Sequence, residues 1–563
     1  MSVGAPKEKD GITTYKVSLK FDTPTVPETV SIGISYKSGD LYSTFIACDK
    51  EIRSLNPSWK PKKCDSRLAV SMPMISLISL EGKNRINVST SDAKIPSSIT
   101  GGISEDNANC IIKISLFTNP ISPIESYEVT VRVDERDVRY ERAIGDTVAF
   151  WEKECGYTPA PVPEAALMPL NSAWYSYHQN IDVERIVNEC KLSKALGMDT
   201  LIVDDGWQTD DTNKGYAFCG DWRVASSKIP SMRDFVVRVQ ETGTKFMLWY
   251  SVPYIGRNSE SFERFRDMLL DYSENKSWFC VDPRYPETRK FLVDTYKNAL
   301  LDFGLDGFKL DFIDAFALTD SSRAPDERRD TESLEDAQQM LLSEISSTLR
   351  KINPDVLIEF RQRYVGPMVR SYGNMLRVTD CPGDPIKNRV GAIDLRLTSG
   401  GTAVHSDMLM WHKDEPSEVA ATALISTLYS VPQISMRLDE LSEAHTRMLR
   451  FFLSIARNYR GALLRGSLRA DNPESYYSKV TGSLDGIYVT TLYTNQYDRL
   501  PEDFEEYLIV NGTGGTDVII EAPYPVSVML KSCEGDTVYE KILPAGISRI
   551  DAPRSSVAFI KKA

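Results

Sequence analysis

The 563-residue chain is poor in histidine and has no paired cysteine motif. Its four histidines, at positions 178, 405, 412 and 445, lack the spacing of metal ligands. Its nine cysteines are scattered, odd in number and free of any C-x-x-C pair, which favours reduced thiols and a cytoplasmic protein over a disulfide framework. Because phosphate-loop and flavin motifs are also missing, we expect neither a metal nor an organic cofactor.

Long apolar runs and long basic blocks are absent as well. No run reaches transmembrane length, and the first ten residues lack the apolar core of a secretory signal, although a removed signal would leave the same sequence. The net charge of -13 is offset by no Lys/Arg block, which argues against contact with nucleic-acid phosphates. We therefore predict a soluble protein without nucleic-acid or membrane partners.

Hydrophobic residues make up 42% of the chain, which is enough to fill the cores of two or three domains. Residues 1–150 contain short alternating runs, such as Thr14–Phe21 and Tyr127–Val133, separated by Pro, Gly, Asn and Ser turns. Such runs predict an N-terminal β-sandwich, because a sandwich buries one face of each strand. Residues 466–563 return to the same pattern and predict a small C-terminal β-sandwich.

Between them, residues 165–465 alternate strand patterns with amphipathic helical patterns. Eight such repeats over this length predict a (β/α)8 barrel, so the fold class is multidomain α/β. A doubly wound open sheet is the alternative, but no Gly-rich nucleotide loop follows the first strand. The predicted strands are Leu170–Tyr175, Asp199–Asp204, Lys245–Tyr250, Gly307–Phe312, Val356–Arg361, Met375–Thr379, Thr402–Leu409 and Gln433–Leu438.

The fourth predicted strand carries a lysine and an aspartate on one face. Strand periodicity puts Lys309 and Asp311 on the side opposite Phe308, Leu310 and Phe312. Two charged groups that face a barrel interior are costly unless they are paired or used. An isolated K-x-D sequence favours a structural ion pair, but other polar residues at predicted strand ends favour a functional site.

Polar and aromatic side chains follow nearly every predicted barrel strand, where barrel enzymes place their active sites. Carboxylates that hold hydroxyls, together with aromatic faces, predict a sugar pocket. Glycoside hydrolysis needs two carboxyl groups, one of which acts as an acid. Asp311 is our candidate nucleophile, since Lys309 favours its ionised form, and Asp380 and Asp384 are the candidate acids. The other predicted substrate contacts are Asp204, Asp205, Trp207, Trp222, Trp249, Lys309, Arg361, Arg377, Asp384 and His405.

Four sequence motifs of the predicted barrel occur in the same order as in a known enzyme family. The runs Leu201–Gln208, Gly220–Trp222, Phe308–Asp311 and Arg377–Asp380 resemble the motifs of the α-galactosidases of glycoside hydrolase family 36. The resemblance implies a β-sandwich, a (β/α)8 barrel and a C-terminal β-domain. It also implies hydrolysis of α-galactosides with retention of configuration, without a metal or cofactor.

The resemblance also implies residue roles. Asp311 would be the nucleophile, and Asp380 would be the acid/base. Asp204 and Asp205 would hold the outer hydroxyls of the sugar. The remaining contacts that it implies are Lys309 as a substrate ligand and Trp207 and Trp222 as pocket walls.

The chain departs from the family pattern in three places. Its N-terminal segment is shorter than the family's sandwich. Glu359–Tyr364 replaces a Cys/Gly-rich segment, so that Arg361 and Arg363 either bind a substrate carboxylate or sulfate or pair with nearby acids such as Glu359. The run Thr379–Asp384 is nearer to the raffinose-synthase-like branch.

The sequence therefore predicts a retaining exo-α-glycosidase, foremost an α-galactosidase acting on oligosaccharides. The alternatives are an α-glycosidase for N-acetylgalactosamine or an acidic hexose, a transglycosylase, and a catalytically dead sugar-binding protein. Family members are often oligomers, which suggests a homo-oligomer. For a retaining enzyme we expect the two catalytic carboxyl groups about 5–5.5 Å apart.

Overall fold

A computed structural model describes residues 1–47 and 53–563. In its N-terminal part, a seven-stranded sheet with the order β1-β3-β11-β8-β7-β5, with β2 paired to β3, faces a four-stranded sheet with the order β4-β10-β9-β6. Apolar residues of both sheets share one core, as the predicted β-sandwich requires. The strands are β1 (Ser2–Val3), β2 (Lys7–Lys9), β3 (Ile12–Thr25), β4 (Val30–Lys37), β5 (Ser43–Phe45), β6 (Lys62–Ser66), β7 (Met74–Ile78), β8 (Asn84–Thr90), β9 (Ser97–Ile103), β10 (Asn109–Leu116) and β11 (Ile124–Asp134).

Eight parallel strands then close into a barrel in the order β12-β13-β14-β17-β18-β19-β20-β21. The predicted (β/α)8 barrel is thereby confirmed, and the open sheet is excluded. A short antiparallel pair, β15 and β16, lies outside the barrel. The strands are β12 (Leu170–Ser172), β13 (Thr200–Val203), β14 (Lys245–Ser251), β15 (Tyr254–Gly256), β16 (Trp278–Cys280), β17 (Gly307–Asp311), β18 (Leu357–Arg361), β19 (Met375–Arg377), β20 (Ala403–Leu409) and β21 (Val431–Ile434).

Two predicted strands extended too far. Residues Trp174–Tyr177 form a helical turn, and Leu438–Glu440 form a 3-10 turn, so neither segment continues its strand. The helices are α1 (Tyr140–Lys153), α2 (Trp174–Tyr177), α3 (Val183–Ala195), α4 (Met232–Gln240), α5 (Ser261–Phe265), α6 (Pro286–Phe303), α7 (Leu334–Ile352), α8 (Pro385–Thr398), α9 (Ser417–Ser426) and α10 (Glu443–Asn458).

The barrel interior is layered. Its lowest layer is apolar and is closed from below by Ala166 and Leu167 of a 3-10 turn. Above this layer the inward side chains become charged, which concentrates the polar groups toward the carboxyl ends of the strands. The apolar layer consists of Leu170, Ile202, Met247, Leu357, Met375 and Ala403.

The C-terminal part consists of a seven-stranded sheet, β22-β23-β24-β26-β31-β28-β29, and a three-stranded sheet, β25-β27-β30. Their apolar faces share one core, in agreement with the predicted second sandwich. The strands are β22 (Ser467–Asp471), β23 (Lys479–Leu484), β24 (Ile487–Leu492), β25 (Tyr497–Arg499), β26 (Glu506–Asn511), β27 (Val518–Ala522), β28 (Val526–Lys531), β29 (Thr537–Leu543), β30 (Gly546–Ile550) and β31 (Val557–Lys562).

The described residues also show the state of the cysteines and the character of the helices. The eight cysteines within them are free thiols, while Cys48 lies outside the described residues. None of the helices described is both long and apolar enough to cross a membrane.

Candidate active site

Asp311 ends strand β17, and its carboxylate is surrounded by donors. Oδ1 accepts from Arg361 Nε at 2.8 Å, from the Phe312 amide at 3.0 Å and from the Tyr364 hydroxyl. Oδ2 accepts from Trp249 Nε1 at 3.1 Å. Burial raises the pKa of the Asp311 carboxyl, but Arg361, Lys309 and these hydrogen bonds outweigh burial and hold the pKa well below its usual value. Asp311 is therefore an anion at neutral pH.

Lys309 points into the barrel two residues before Asp311. It forms a buried ion pair with Asp204, which follows strand β13. Burial lowers the pKa of Lys309, but Asp204 and Asp311 reverse this and raise it. The pair therefore places the Lys309 amino group and the Asp204 carboxyl group together beside Asp311.

Asp205 is held by two side-chain amides. Gln179 Nε2 and Gln208 Nε2 each donate to one of its oxygens at 2.6 Å. Burial, with the nearby charge of Asp204, raises the pKa of Asp205 to about 6. The turn requires Gly206, whose φ is 107° and whose Cβ would lie 2.6 Å from Gln179 Cα.

Aromatic side chains pack behind and beside the carboxylates. Trp249 contacts Asp311 directly, whereas Trp207 is fully buried and donates Nε1 to the Trp249 carbonyl at 2.9 Å. The predicted position of Trp207 as a pocket wall is therefore corrected: it supports Trp249 from behind. Trp222 stacks on Trp207 with ring centroids 6.0 Å apart and is almost buried as well.

Sequence reasoning missed Tyr216. Its ring stacks on Trp249 with centroids 6.1 Å apart. Burial raises the pKa of Tyr216, and the charges of Asp311, Asp205 and Asp204 raise it further. Tyr216 is thus a neutral phenol near all three carboxylates, and its place beside Gly215 in a polar loop was the one available signal.

Arg377, which ends strand β19, connects three acids. Its Nη2 donates to Asp380 Oδ1 at 2.8 Å, its Nη1 donates to Asp407, and its Nε lies 3.6 Å from Glu359 Oε1. The side chain is only 1% exposed. Arg377 therefore positions acids rather than meeting a substrate directly, which corrects its predicted role.

Asp380 is the acid that the solvent reaches. Its side chain is 53% exposed although Arg377 holds one oxygen. Burial raises the pKa of Asp380, but Arg377, Arg361 and Lys309 outweigh burial and lower the pKa below its usual value. The ionised form of Asp380 is therefore favoured.

Asp384 has a structural role. Its Oδ1 accepts from the Lys387 amide at 3.0 Å and caps helix α8, which begins at Pro385. Its Oδ2 lies 3.3 Å from Lys387 Nζ. Asp384 is thus a helix cap, which favours Asp380 as the candidate acid, and its predicted substrate contact stays a prediction.

His405 lies too deep in the barrel to belong to the polar cluster around Asp311. It is fully buried, with Nε2 2.8 Å from the Ala166 carbonyl and Nδ1 3.3 Å from Gln433 Nε2. Burial lowers the pKa of His405 to about 4, so the ring is neutral at pH 7. His405 joins strand β20 to the floor of the barrel, and the predicted substrate contact is not supported by this placement.

The chain is expected to lose stability when Arg377 is replaced by methionine. Glu359 and Asp407 would then be buried without their cation, which costs about 3–5 kcal/mol in the free energy of unfolding. Urea unfolding of R377M against wild type measures this. Arg499, 72% exposed and paired with Glu521, is the matched control: R499M should unfold at the same urea concentration as wild type. Equal stability of both variants would contradict the central role of Arg377.

Comparison with known proteins gives the site a context. The family model named Melibiase matches residues 166–363. α-Galactosidase AgaA of Geobacillus stearothermophilus is 27% identical over 164 residues, which are 28% of this chain and 22% of that protein. The bifunctional α-galactosidase/sucrose kinase AgaSK of Mediterraneibacter gnavus is 28% identical over 131 residues, 20% of this chain and 14% of that protein.

Solved structures match over nearly the whole chain. A family 36 AgaA variant in complex with raffinose has a TM-score of 0.67 at 15% identity, covering 98% of this chain and 80% of that one. This chain resembles the family 36 α-galactosidases. TtGalA of Thermus thermophilus, solved with p-nitrophenyl α-galactopyranoside, has a TM-score of 0.54 at 13% identity, covering 85% and 97%. At these identities the structures show a shared fold.

The family 36 resemblance is therefore confirmed, but the sequence match to curated relatives spans about a fifth of their length or less. The Melibiase match includes Asp204, Asp205, Lys309 and Asp311 and ends before Asp380. The assignment of Asp380 therefore depends on the geometry of this chain.

Proposed function

We propose that the protein is a retaining exo-α-galactosidase that acts on oligosaccharides. The observation that carries the proposal is the Asp311 carboxylate, which four donors hold at the end of strand β17 beside the Lys309–Asp204 pair. Relatives named α-galactosidases support the sugar, and family 36 neighbours solved with raffinose and stachyose support oligosaccharides as substrates.

Asp311 attacks the anomeric carbon through Oδ2. Oδ1 accepts from three donors, whereas among the described residues Oδ2 accepts from Trp249 alone. A carboxylate oxygen with fewer donors keeps more of its charge for the attack. The step forms a bond between Oδ2 and the anomeric carbon and breaks the glycosidic bond, which leaves a galactosyl ester on Asp311.

Asp380 supplies the proton to the leaving oxygen and later removes one from water. It must take up this proton before the first step, because Arg377 and Arg361 lower its pKa and so favour the ionised form. Binding of the leaving group excludes water from its exposed side, which favours the neutral acid. The water that loses its proton to Asp380 then attacks the anomeric carbon, so the sugar leaves with its configuration retained.

Sugar recognition falls to the buried polar groups opposite Asp380. Asp204 and Lys309 offer an acceptor and a donor, and Asp205 is oriented by Gln179 and Gln208. Hydroxyl groups that pair with all of these leave no buried charge unsatisfied, which is how such sites reject sugars lacking one hydroxyl.

Three finer statements accompany this proposal. We propose that segments 1–150, 165–465 and 466–563 act as domains, that the protein works in the cytoplasm, and that it forms a homo-oligomer. Each remains a prediction from the sequence.

Hydrolysis of p-nitrophenyl α-glycosides tests the proposed function. We expect the α-galactoside to be cleaved faster than the α-glucoside, α-N-acetylgalactosaminide and α-galacturonide, and NMR to show α-galactose as the first product. β-Galactose as the first product would contradict retention. Faster cleavage of another glycoside would move the specificity to that sugar, and transfer to a sugar acceptor in place of water would identify a transglycosylase.

A further inference from the structure

A cavity of about 450 Å³ adjoins Asp380 and Arg361. It lies between the segment after strand β18, the first turns of helix α8 and the turn at residues 473–476. A leaving group must contact the acid that protonates its oxygen. The cavity beside Asp380 is therefore where the leaving group of a glycoside would lie.

Two exposed cations line this cavity. The side chains of Arg363 and Lys387 are 60% and 64% exposed. Arg363 Nε lies 3.5 Å from Asp314 Oδ2, and Lys387 Nζ lies 3.3 Å from Asp384 Oδ2. Exposed pairs at such distances contribute little and exchange easily, so both cations can turn to a ligand anion.

The other charges of the cavity are already engaged. Arg361 donates to Asp311, and its guanidinium lies 5.2 Å from the Phe312 ring centroid. Asp394 is buried, where it accepts from the Tyr477 hydroxyl at 2.5 Å and pairs with Arg53. Arg361 thus serves the nucleophile. Among the described residues that line the cavity, this leaves Arg363 and Lys387 as the cations that can meet a ligand anion.

Apolar surface completes the cavity. Ile386 and Tyr476 are both exposed and line it, and they offer the kind of surface on which the C–H face of a sugar or an aryl ring packs. A site with such surface and two exposed cations is suited to a ring that bears a negative group.

We propose that the leaving-group subsite takes an aglycone carrying an anion, a carboxylate or a sulfate, which Arg363 and Lys387 bind. This inference rests on the proposed function, because it uses Asp380 as the acid. It places the anion on the leaving group and not on the sugar that forms the ester with Asp311.

The test compares kcat/KM for 4-nitrophenyl α-galactoside and its 3-carboxy derivative in wild type and in R363Q/K387Q. The two substrates share the galactosyl unit, so a general loss of activity cancels in their ratio. We expect the ratio of carboxylated to neutral substrate to fall about tenfold in the variant, the scale of a charge-assisted contact. A 3-sulfate derivative, which carries the other proposed anion at the same position, should show the same fall in R363Q/K387Q.

The matched control is R549Q/K561Q, which removes the same two charges from side chains that are each 64% exposed on the C-terminal sheets. Its ratio should equal that of wild type. An unchanged ratio in R363Q/K387Q, or an equal fall in both variants, overturns the inference while α-galactosidase activity stands. Failure to cleave every α-galactoside overturns the proposed function, and this inference falls with it.

Discussion

Asp311→Ala is expected to lower kcat on α-galactosides by about 10⁵-fold, the scale on which loss of a nucleophile acts. The variant lacks the oxygen that forms the ester, and no described carboxylate replaces it, since Asp204 is paired with Lys309 and Asp205 with Gln179 and Gln208. Initial rates with an aryl α-galactoside measure the loss. A residual activity within tenfold of wild type would contradict the assignment.

Azide shows whether the variant is folded. The space left by the Asp311 carboxylate admits a small anion, and Arg361, Tyr364 and Trp249 would still direct their donors into it. Azide should therefore restore cleavage of an activated galactoside, with β-galactosyl azide as the product. An α-azide would place the nucleophile elsewhere.

The two-residue periodicity of strand β17 predicted that Lys309 and Asp311 face inward, but it did not predict their side-chain partners. Lys309 and Asp311 face the barrel interior, as strand periodicity requires. The partner of Lys309 is Asp204, 105 residues earlier, which becomes a neighbour only when the barrel closes. Side-chain partners across a barrel depend on the register of the strands, which a single sequence does not specify.

Register also explains the role of Arg361. Lys309 of β17 pairs with Glu359 of β18, so Arg361 lies two residues higher, level with Asp311. The sequence suggested a substrate anion or Glu359 as its partner, whereas Glu359 accepts from Gln433 at 2.5 Å and faces Arg377. Arg361 therefore pairs with an acid, as one of the two interpretations held, and that acid is Asp311 on the neighbouring strand.

The inward-facing residues of strand β20 differ in how deep they lie in the barrel. His405 and Asp407 are two residues apart on β20 and both face inward. His405 reaches the floor of the barrel, whereas Asp407 accepts from Tyr175 at 3.1 Å and pairs with Arg377 near the top. The alternation of side chains along a strand predicts which face a residue lies on, but it does not predict how far above the apolar layer the side chain lies. The helix-capping role of Asp384, in contrast, could have been predicted, since an aspartate directly before a proline is a common helix start.

Asp380→Asn is expected to lower kcat/KM about 10²–10⁴-fold for α-galactosides with sugar or alkyl leaving groups, which need a proton. For 4-nitrophenyl α-galactoside the first step should change much less, because nitrophenolate leaves unprotonated. Hydrolysis of the ester on Asp311 then becomes slow, since no base removes the proton from water. Pre-steady-state kinetics should show a burst of nitrophenolate, and added azide should give α-galactosyl azide.

The matched variant is Asp384→Ala, which removes the other candidate acid. We expect loss of the helix cap to cost about 1 kcal/mol of unfolding free energy, with kcat/KM within threefold of wild type. A large loss of activity in D384A together with retained activity in D380N would exchange the two assignments.

The pH dependence of kcat/KM in wild type and in D380N gives a further test of the acid. Arg377 and Arg361 hold the pKa of Asp380 below its usual value, so its acid form becomes scarcer as pH rises. In wild type, kcat/KM for an alkyl α-galactoside should therefore rise as pH falls from 7 toward 4. Asp205, with a pKa of about 6, titrates in the same range, but it remains in both proteins. The part of the pH dependence that D380N loses is then due to Asp380, and an identical profile in both proteins would exclude Asp380 as the acid.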